Sequence, residues 1–265
     1  MMQSKIEAAA RLLLSARSNM KQLVALPTEY VPNDVEQAYA IQDFVSAALG
    51  TVGGWKVGAQ GPLTEPTCAP LPAALIYVAP HTFTQLAGRP FAVEAEIALK
   101  LKHDLPPREH PYSAPEVIAA IDAVHPVIEI VESRYVDFRQ IDPLSKLADA
   151  QSNGALVYGI GCCDRLAIDQ TTQSVELYFN GKMVVNVVGG NPAGDVLRLL
   201  VWLANHLATR CGGLRAGQIV TTGSCTGLLF VEPNTQVKAT FPGLGKVELS
   251  TVGLDNTAPT NWIHH

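Results

Sequence analysis

The chain has 265 residues, of which 48% are hydrophobic and 16% charged, a composition that can bury a substantial core and excludes wholesale disorder. Its 19 basic and 24 acidic side chains give a formal net charge of −5, and no basic stripe is present to bind DNA or RNA. No apolar run reaches the ~18 residues of a membrane span, no secretory signal is recognisable and the cysteines follow no pairing pattern, so we expect a reduced, cytoplasmic protein.

The first fifty residues have the apolar periodicity of two helices. Apolar side chains from Ile6 to Met20 recur at spacings of three and four, which places them on one face of a first helix. A second helix is predicted to begin at Asn33, whose side chain can cap it, and to end before Gly50. We therefore expect residues 1–52 to form a helical segment that packs on the core.

Residues 53–265 are predicted to form a β-rich domain, because short β-like runs alternate there with glycine and proline. The predicted strands are 55–57, 74–78, 92–102, 127–131, 156–159, 175–179, 182–187, 219–222, 236–241 and 246–251. Asn180-Gly181 between two apolar runs predicts a tight hairpin. Helices are predicted after a Ser113 capping box and at Asn191-Pro192. Because repeating βα units are absent, we expect an α+β fold around a large mixed or rolled sheet.

Three glutamates on predicted strands are the most informative residues for function. Glu94 and Glu96 lie two residues apart on the strand 92–102 and point to the same face, where two carboxylates repel unless a cation or a proton lies between them. A solvated strand face is the alternative for this pair. Glu129 lies in the apolar run 127–131, where a carboxylate is costly unless it is paired or coordinated. Because no histidine or cysteine cluster accompanies them, the three suggest a hard cation, Mg²⁺ first and then Mn²⁺ or Ca²⁺.

Lys56 is the second candidate for chemistry. It lies beside Trp55 in a short strand bounded by glycines, which allow a ligand or another backbone to approach closely. A lysine there can bind a carboxylate substrate, or transfer a proton if burial lowers its pKa. The alternative is an ordinary lysine whose ammonium reaches the solvent.

The segment Gly223-Ser-Cys-Thr-Gly227 has the outline of a nucleophile elbow with Cys225 at its centre. An elbow needs a strand before it and a helix after it, but the following residues do not begin a helix. We therefore expect a glycine-flanked turn that presents Ser224 or backbone N–H groups to a ligand, and not a cysteine nucleophile.

Eight segments occur in an order that points to a known family. They are Ala38-Tyr-Ala-Ile-Gln42, Gly54-Trp-Lys-Val-Gly58, Val93-Glu-Ala-Glu-Ile97, Ile128-Glu-Ile-Val-Glu-Ser-Arg134, Leu147-Ala-Asp-Ala-Gln-Ser-Asn-Gly154, Trp202-Leu-Ala-Asn205, Leu214-Arg-Ala-Gly217 and Thr222-Gly-Ser224. Together they cover most of the chain and resemble the 2-keto-4-pentenoate hydratase group of the fumarylacetoacetate hydrolase superfamily, which also contains oxalocrotonate decarboxylases.

The resemblance implies a mixed β-roll, usually seen in homo-oligomers, with residues 53–265 as the catalytic domain. Carried over position by position, the resemblance implies that the three glutamates described above bind Mg²⁺ or Mn²⁺ and that two further residues act in the site. The implied metal ligands are Glu94, Glu96 and Glu129; Lys56 is implied as an acid/base or substrate-binding residue and Ser152 as a polar active-site residue.

The implied activity is that of a metal-dependent lyase. Such a hydratase adds water to a 2-hydroxy-2,4-dienoate, so the expected partner is a small 2-oxo or 2-hydroxydienoic acid. The chain departs from the group at Leu71-Pro-Ala-Ala74, where an aspartate is missing, and at Ala150, which stands in place of an asparagine. A 2-oxo acid decarboxylase, a C–C hydrolase of the same superfamily and a non-catalytic ligand-binding relative therefore remain as alternatives.

Overall fold

The computed structural model describes residues 2–85, 91–162 and 171–253, and within these ranges the chain has five α-helices and thirteen β-strands. The helices are α1 (Met2–Ser18), α2 (Val35–Leu49), α3 (Ala114–Ala120), α4 (Pro143–Ala148) and α5 (Val196–Arg210). The strands are β1 (Val52–Gly58), β2 (Thr67–Pro72), β3 (Ile76–Val78), β4 (His81–Gln85), β5 (Phe91–Leu101), β6 (Ile121–Val131), β7 (Asn153–Tyr158), β8 (Ser174–Phe179), β9 (Lys182–Val188), β10 (Ile219–Ser224), β11 (Leu229–Val231), β12 (Gln236–Phe241) and β13 (Gly245–Gly253). None of the described helices is both long and apolar enough to cross a membrane.

The strands form two mixed sheets. The larger has the order β2-β1-β10-β5-β6-β7-β3, with β11 added alongside β5, and the smaller has the order β4-β13-β12-β8-β9. Parallel pairs such as β1 with β10 stand beside antiparallel pairs such as β5 with β6. The predicted α+β class, with mixed sheets and a helical N-terminal part, is confirmed.

The core lies around β5 and β6. Strands β12 and β13 of the smaller sheet pack against β6, while α5 packs against β1 and β10 of the larger sheet. Helices α1 and α2 add Ile6, Leu13 and Ile41 to the same apolar cluster. The division of the chain between residues 52 and 53 stays a prediction.

Several local predictions are confirmed. Strand β5 spans the predicted alternating run, and the Ser113 side chain caps α3 through a capping box with Glu116. Asn180 and Gly181 have φ of 49° and 79° and join β8 to β9 as a tight hairpin. These positive φ values explain the choice of residues, since asparagine and glycine tolerate them best.

Two predicted helix starts are wrong. Helix α2 is capped by Asp34, whose Oδ1 accepts from the Gln37 backbone N–H at 2.7 Å, and not by Asn33. Helix α5 is capped by Asp195 and does not begin at Asn191-Pro192. The Asn191 side chain instead donates to backbone carbonyls of β10, which no local pattern reveals.

The sequence prediction also missed strands β2, β4 and β11 and the short helix α4. Strand β2 contains Pro70 and Pro72, which argue against a strand in general. It lies at the edge of the larger sheet, where a residue without an N–H group is tolerated. The predicted strand 74–78 is shorter than expected, because Ala73–Leu75 forms a 3-10 turn and β3 begins only at Ile76.

Candidate metal centre and active site

Pairing between β5 and β6 brings the three glutamates together. The strands run antiparallel with Glu94 opposite Glu129, and Glu96 follows on the same face as Glu94. One carboxylate oxygen from each of the three lies within 4.8 Å of the other two. Glu96 and Glu129 are only 1% and 0% exposed, so the alternative of a solvated strand face does not apply to them. Buried carboxylates this close need positive charge or protons to offset their repulsion.

The hydrogen bonds of the cluster leave one buried carboxylate oxygen without a donor. Glu96 Oε2 accepts from the Thr221 hydroxyl and, at 3.0 Å, from the Gly223 N–H. Glu129 Oε1 accepts from Lys56 Nζ at 2.6 Å and from Asn153 Nδ2 at 3.1 Å. Glu129 Oε2 is buried and has no hydrogen-bond partner among the described residues. A buried anionic oxygen without a donor, on a residue clustered with two further carboxylates, fits a hard divalent cation.

Burial and mutual repulsion increase the proton affinity of the cluster. Burial, followed by the charges of Glu129 and Glu94, raises the pKa of Glu96 to about 8. Burial also raises the pKa of Glu94; the charge of Lys56 opposes this change and the charge of Glu129 adds to it. For Lys56, burial disfavours the ammonium, but the carboxylates of Glu129, Glu96 and Glu94 outweigh burial and raise its pKa. Lys56 therefore stays charged, and the lowered pKa considered as one possibility from the sequence is not found.

Strand β1 holds Lys56 against the glutamates. Besides its bond to Glu129, Lys56 Nζ donates to the Gln151 carbonyl at 3.2 Å, and the side chain is 13% exposed. The ammonium is thus held inside the protein and does not reach out to solvent. Gly54, two residues before Lys56, allows β1 to pair closely with β10, because a Cβ at Gly54 would lie 2.3 Å from the Ile219 carbonyl oxygen. The glycine accommodates the neighbouring strand β10 and not a ligand.

Three consecutive residues in the left-handed conformation lie beside Lys56. Ala150, Gln151 and Ser152 have φ of 48°, 52° and 60°, and each such non-glycine residue costs on the order of 1–3 kcal/mol. The turn directs the Gln151 carbonyl to Lys56 and the Gln151 side-chain amide to the Thr67 hydroxyl. Ser152 is 6% exposed and contributes to the wall of the cavity described below. Strain of this kind is typical of functional sites.

Ser224 is the last residue of β10, and Cys225 follows it in the turn. Ser224 pairs with Glu96 across β10 and β5, and its buried hydroxyl has no hydrogen-bond partner among the described residues. Burial, together with the charge of Glu96, raises the pKa of Cys225 to about 12, which disfavours the thiolate needed by a nucleophile. Strand β11 and not a helix follows the turn, so the geometry of an elbow is missing.

A cavity of about 530 Å³ opens beside Lys56 and Glu94. Its other described lining residues are Val35, Gln60, Thr67, Val131, Phe138, Pro143, Leu144, Lys146, Leu147, Gln151, Ser152 and Leu228. Ser224 is not among them. Half of the lining residues are apolar and half are polar or charged, so the cavity combines apolar surface with converging polar groups, as sites for small organic molecules do.

The residues that orient the cluster had no recognisable pattern in the sequence. Thr221 and Asn153 each contribute one uncharged donor, and only the pairing of β10 with β5 and of β7 with β6 brings them to the glutamates. Arg134 and Asp149 form a buried ion pair, and Arg134 Nη2 also donates to the Asp149 carbonyl at 2.8 Å. This pair lies at the base of the left-handed turn and outside the cavity lining.

Comparisons with known proteins agree with the site. The family described as fumarylacetoacetate (FAA) hydrolase C-terminal matches residues 60–252. The 2-keto-4-pentenoate hydratase 2 of Dechloromonas aromatica is 31% identical over 258 residues, which cover 91% of this chain and 95% of that protein. A 4-oxalocrotonate decarboxylase of Pseudomonas putida is 34% identical over 156 residues, 58% of each chain.

A solved structure extends the likeness to three dimensions. The 4-oxalocrotonate decarboxylase from Pseudomonas putida complexed with magnesium and adipate has a TM-score of 0.83 at 26% sequence identity. The alignment covers 95% of this chain and 99% of that one. The resemblance inferred from the order of the sequence motifs, including the β-roll fold, is confirmed.

Proposed function

The chain belongs to the fumarylacetoacetate hydrolase family, and we propose that it is a divalent-metal-dependent hydratase of 2-hydroxy-2,4-dienoates. It adds water to a substrate of the 2-oxopent-4-enoate type and releases a 4-hydroxy-2-oxo acid. That the protein is an enzyme of the hydratase and lyase group follows from the hydratases that match it over 91% of its length. One observation carries the finer proposal: Lys56 contacts one of three clustered glutamates beside a cavity of about 530 Å³.

In this proposal Glu94, Glu96 and Glu129 bind Mg²⁺ or Mn²⁺. Support comes from their all-oxygen donor set, from the unpartnered Glu129 Oε2 and from their separation of at most 4.8 Å. The related decarboxylase structures are complexes with magnesium and with calcium. When bound, the cation supplies Lewis-acid stabilisation of negative charge on the C2 oxygen of the substrate.

Lys56 is the proposed acid. The carboxylates around it keep its ammonium charged, and its bonds to Glu129 and to the Gln151 carbonyl fix its direction. Loss of the C2 hydroxyl proton to solvent and gain of a proton at C5 convert the dienol to a conjugated enone of the same composition. Lys56 donates the C5 proton and takes up another from solvent that enters the cavity. Ser152, on the wall of the same cavity, is the second residue proposed to take part in this proton transfer.

Hydration completes the reaction. Water adds its oxygen to C4 and a proton to C3, which gives the 4-hydroxy-2-oxo acid. Ser224 is assigned to substrate binding, because it lies beside the glutamate cluster through its pairing with Glu96 and its buried hydroxyl has no partner among the described residues. Assembly into a homo-oligomer stays a prediction.

A second candidate function is decarboxylation of a 2-oxo acid. The observation that favours it is the likeness to 4-oxalocrotonate decarboxylases, at 34% identity over 58% of the chain and with a TM-score of 0.83. The same enolate-stabilising centre serves both reactions, because each passes through negative charge on the C2 oxygen. The two differ in product, since decarboxylation releases carbon dioxide and consumes no water.

The experiment that tests the proposal supplies the two substrates separately. Purified protein with Mg²⁺ receives either 2-hydroxypenta-2,4-dienoate or 4-oxalocrotonate, and ultraviolet absorbance, carbon dioxide and the product acid are measured. Hydration predicts loss of dienoate absorbance with formation of the 4-hydroxy-2-oxo acid, and loss of that activity in Glu129→Gln. Glu176→Gln, on β8 of the smaller sheet, where the carboxylate accepts from the Tyr178 hydroxyl, is the matched control. Carbon dioxide release without hydration would favour the second candidate.

A further inference from the structure

Arg17 connects the N-terminal helix to the turn that carries the site. Arg17 lies in the last turn of α1, and its Nη2 donates to the Asn153 carbonyl at 2.8 Å. Arg134 Nη1 donates to the same carbonyl at 2.8 Å. Two guanidinium groups from distant parts of the chain therefore hold one backbone oxygen, directly after the left-handed turn at residues 150–152.

This arrangement carries an electrostatic cost. Burial, followed by the charge of Arg134, lowers the pKa of Arg17 to about 10, and the charges of Asp149 and Glu132 offset only part of this change. The packing of α1 does not require a guanidinium at this position, because the helix is already anchored by Ala9, Leu13 and other buried apolar side chains. The hydrogen bond to the Asn153 carbonyl therefore explains a half-buried arginine beside a second arginine better than the packing of α1 does.

Asn153 connects the two arginines to Glu129, because its backbone carbonyl binds the arginines and its side chain binds the glutamate. Its side-chain Nδ2 donates to Glu129 Oε1 at 3.1 Å, the same oxygen that accepts from Lys56. The residues just before it, 150–152, are in the left-handed conformation, and one of them presents its carbonyl to Lys56. Such a strained turn persists only where its surroundings hold it in place. Displacement of the Asn153 backbone therefore disturbs two donors to Glu129 together.

We propose that Arg17 is a positioning residue, which holds the 150–152 turn through the Asn153 carbonyl so that Asn153 and Lys56 keep Glu129 oriented toward the cation. The inference rests on the proposed function, because it requires Glu129 to be a metal ligand. It makes α1 a part of the active site as well as a part of the core.

The test compares three substitutions in α1 on the full chain. Arg17→Met removes the donor and keeps much of the side-chain volume, and Arg11→Met makes the same change at an exposed arginine that pairs with Glu7 on its own helix. Leu13→Ala weakens the packing of α1 without touching the turn. Titration calorimetry of Mn²⁺ into chelator-treated protein measures metal affinity, steady-state kinetics measures kcat and KM, and thermal denaturation measures stability.

Arg17→Met is expected to weaken Mn²⁺ binding by roughly 10- to 100-fold, the usual effect of a group that orients a ligand, and to lower kcat more than it changes KM. Arg11→Met should match the wild type, and Leu13→Ala should lose thermal stability with unchanged metal affinity. Wild-type metal affinity and kcat in Arg17→Met would overturn the inference, as would an equal loss of affinity in Leu13→Ala. If Arg17→Met does not fold, the shorter, uncharged Arg17→Gln takes its place, and the same losses of metal affinity and kcat are expected. A wild-type protein that binds no Mn²⁺ would instead sink the proposed function itself.

Discussion

Replacing Thr221 by valine removes one hydroxyl from Glu96 and leaves the shape of the site nearly unchanged. Thr221 is fully buried on β10, and its hydroxyl donates to Glu96 Oε2, which also accepts from the Gly223 N–H at 3.0 Å. With a pKa of about 8, Glu96 is mostly protonated near neutral pH. A cation binds only the ionised carboxylate, and the Thr221 hydroxyl stabilises that form.

The size of the expected effect follows from the kind of bond that is lost. A hydrogen bond to an ionised group contributes about 1.5–3 kcal/mol, which corresponds to roughly 10- to 150-fold in a dissociation constant. Thr221→Val should weaken Mn²⁺ binding by that factor near neutral pH. Because binding displaces the Glu96 proton, the affinity of the wild type should rise with pH and level off above about pH 8. In the variant the plateau should move to higher pH, since Glu96 loses a donor to its charged form.

Titration calorimetry of Mn²⁺ at several pH values measures both effects. Thr222→Val is the matched control: the residue is equally buried on the same strand, but its hydroxyl donates to the Ile97 carbonyl at 2.7 Å and not to a carboxylate. The control should lose stability and keep its metal affinity. Equal loss of affinity in Thr221→Val and Thr222→Val, or an affinity that does not change with pH, would show that the Thr221 hydroxyl does not stabilise an ionised, metal-binding Glu96.

Three further outcomes follow from the site and the core. With Mg²⁺ at saturating concentration, Lys56→Met should lower kcat on the order of a hundredfold, whereas Lys146→Met, in the same cavity, should not; a change confined to KM would make Lys56 a binding residue only. Cys225→Ala should keep kcat within about twofold, because burial raises the pKa of its thiol to about 12, and a large loss of kcat would contradict this. Burial lowers the pKa of His125, so the unfolded chain takes up a proton below about pH 6.5 that the folded protein refuses. Thermal stability should therefore fall as the pH drops from 6.5, and a pH dependence unchanged in His125→Gln would count against this group.

The parts of the fold that could be predicted are those specified by neighbouring residues. The alternation along β5 and the Asn180-Gly181 hairpin depend on local backbone preferences. The glutamate cluster was within reach of sequence reasoning as well. Parity places Glu94 and Glu96 on one face, and a carboxylate at Glu129 within an apolar run needs a compensating partner.

The parts that could not be predicted depend on contacts between distant segments. Asn191 has the local features of a helix cap, but its amide is taken by carbonyls of β10, and Asp195 caps α5 instead. Strand β2 is hidden by its prolines, which only an edge position permits. The contact of Arg17 with Asn153 spans 136 residues, and neither residue type predicts the other.

Metal-dependent hydration is tested most directly by the rate of dienoate loss in protein stripped of metal, measured as Mg²⁺ is added back. The stripped protein should show no turnover above the uncatalysed background, and added Mg²⁺ should restore the rate to saturation with the 4-hydroxy-2-oxo acid as the product. A rate that stays at the level of the untreated protein in excess chelator would contradict metal-dependent hydration.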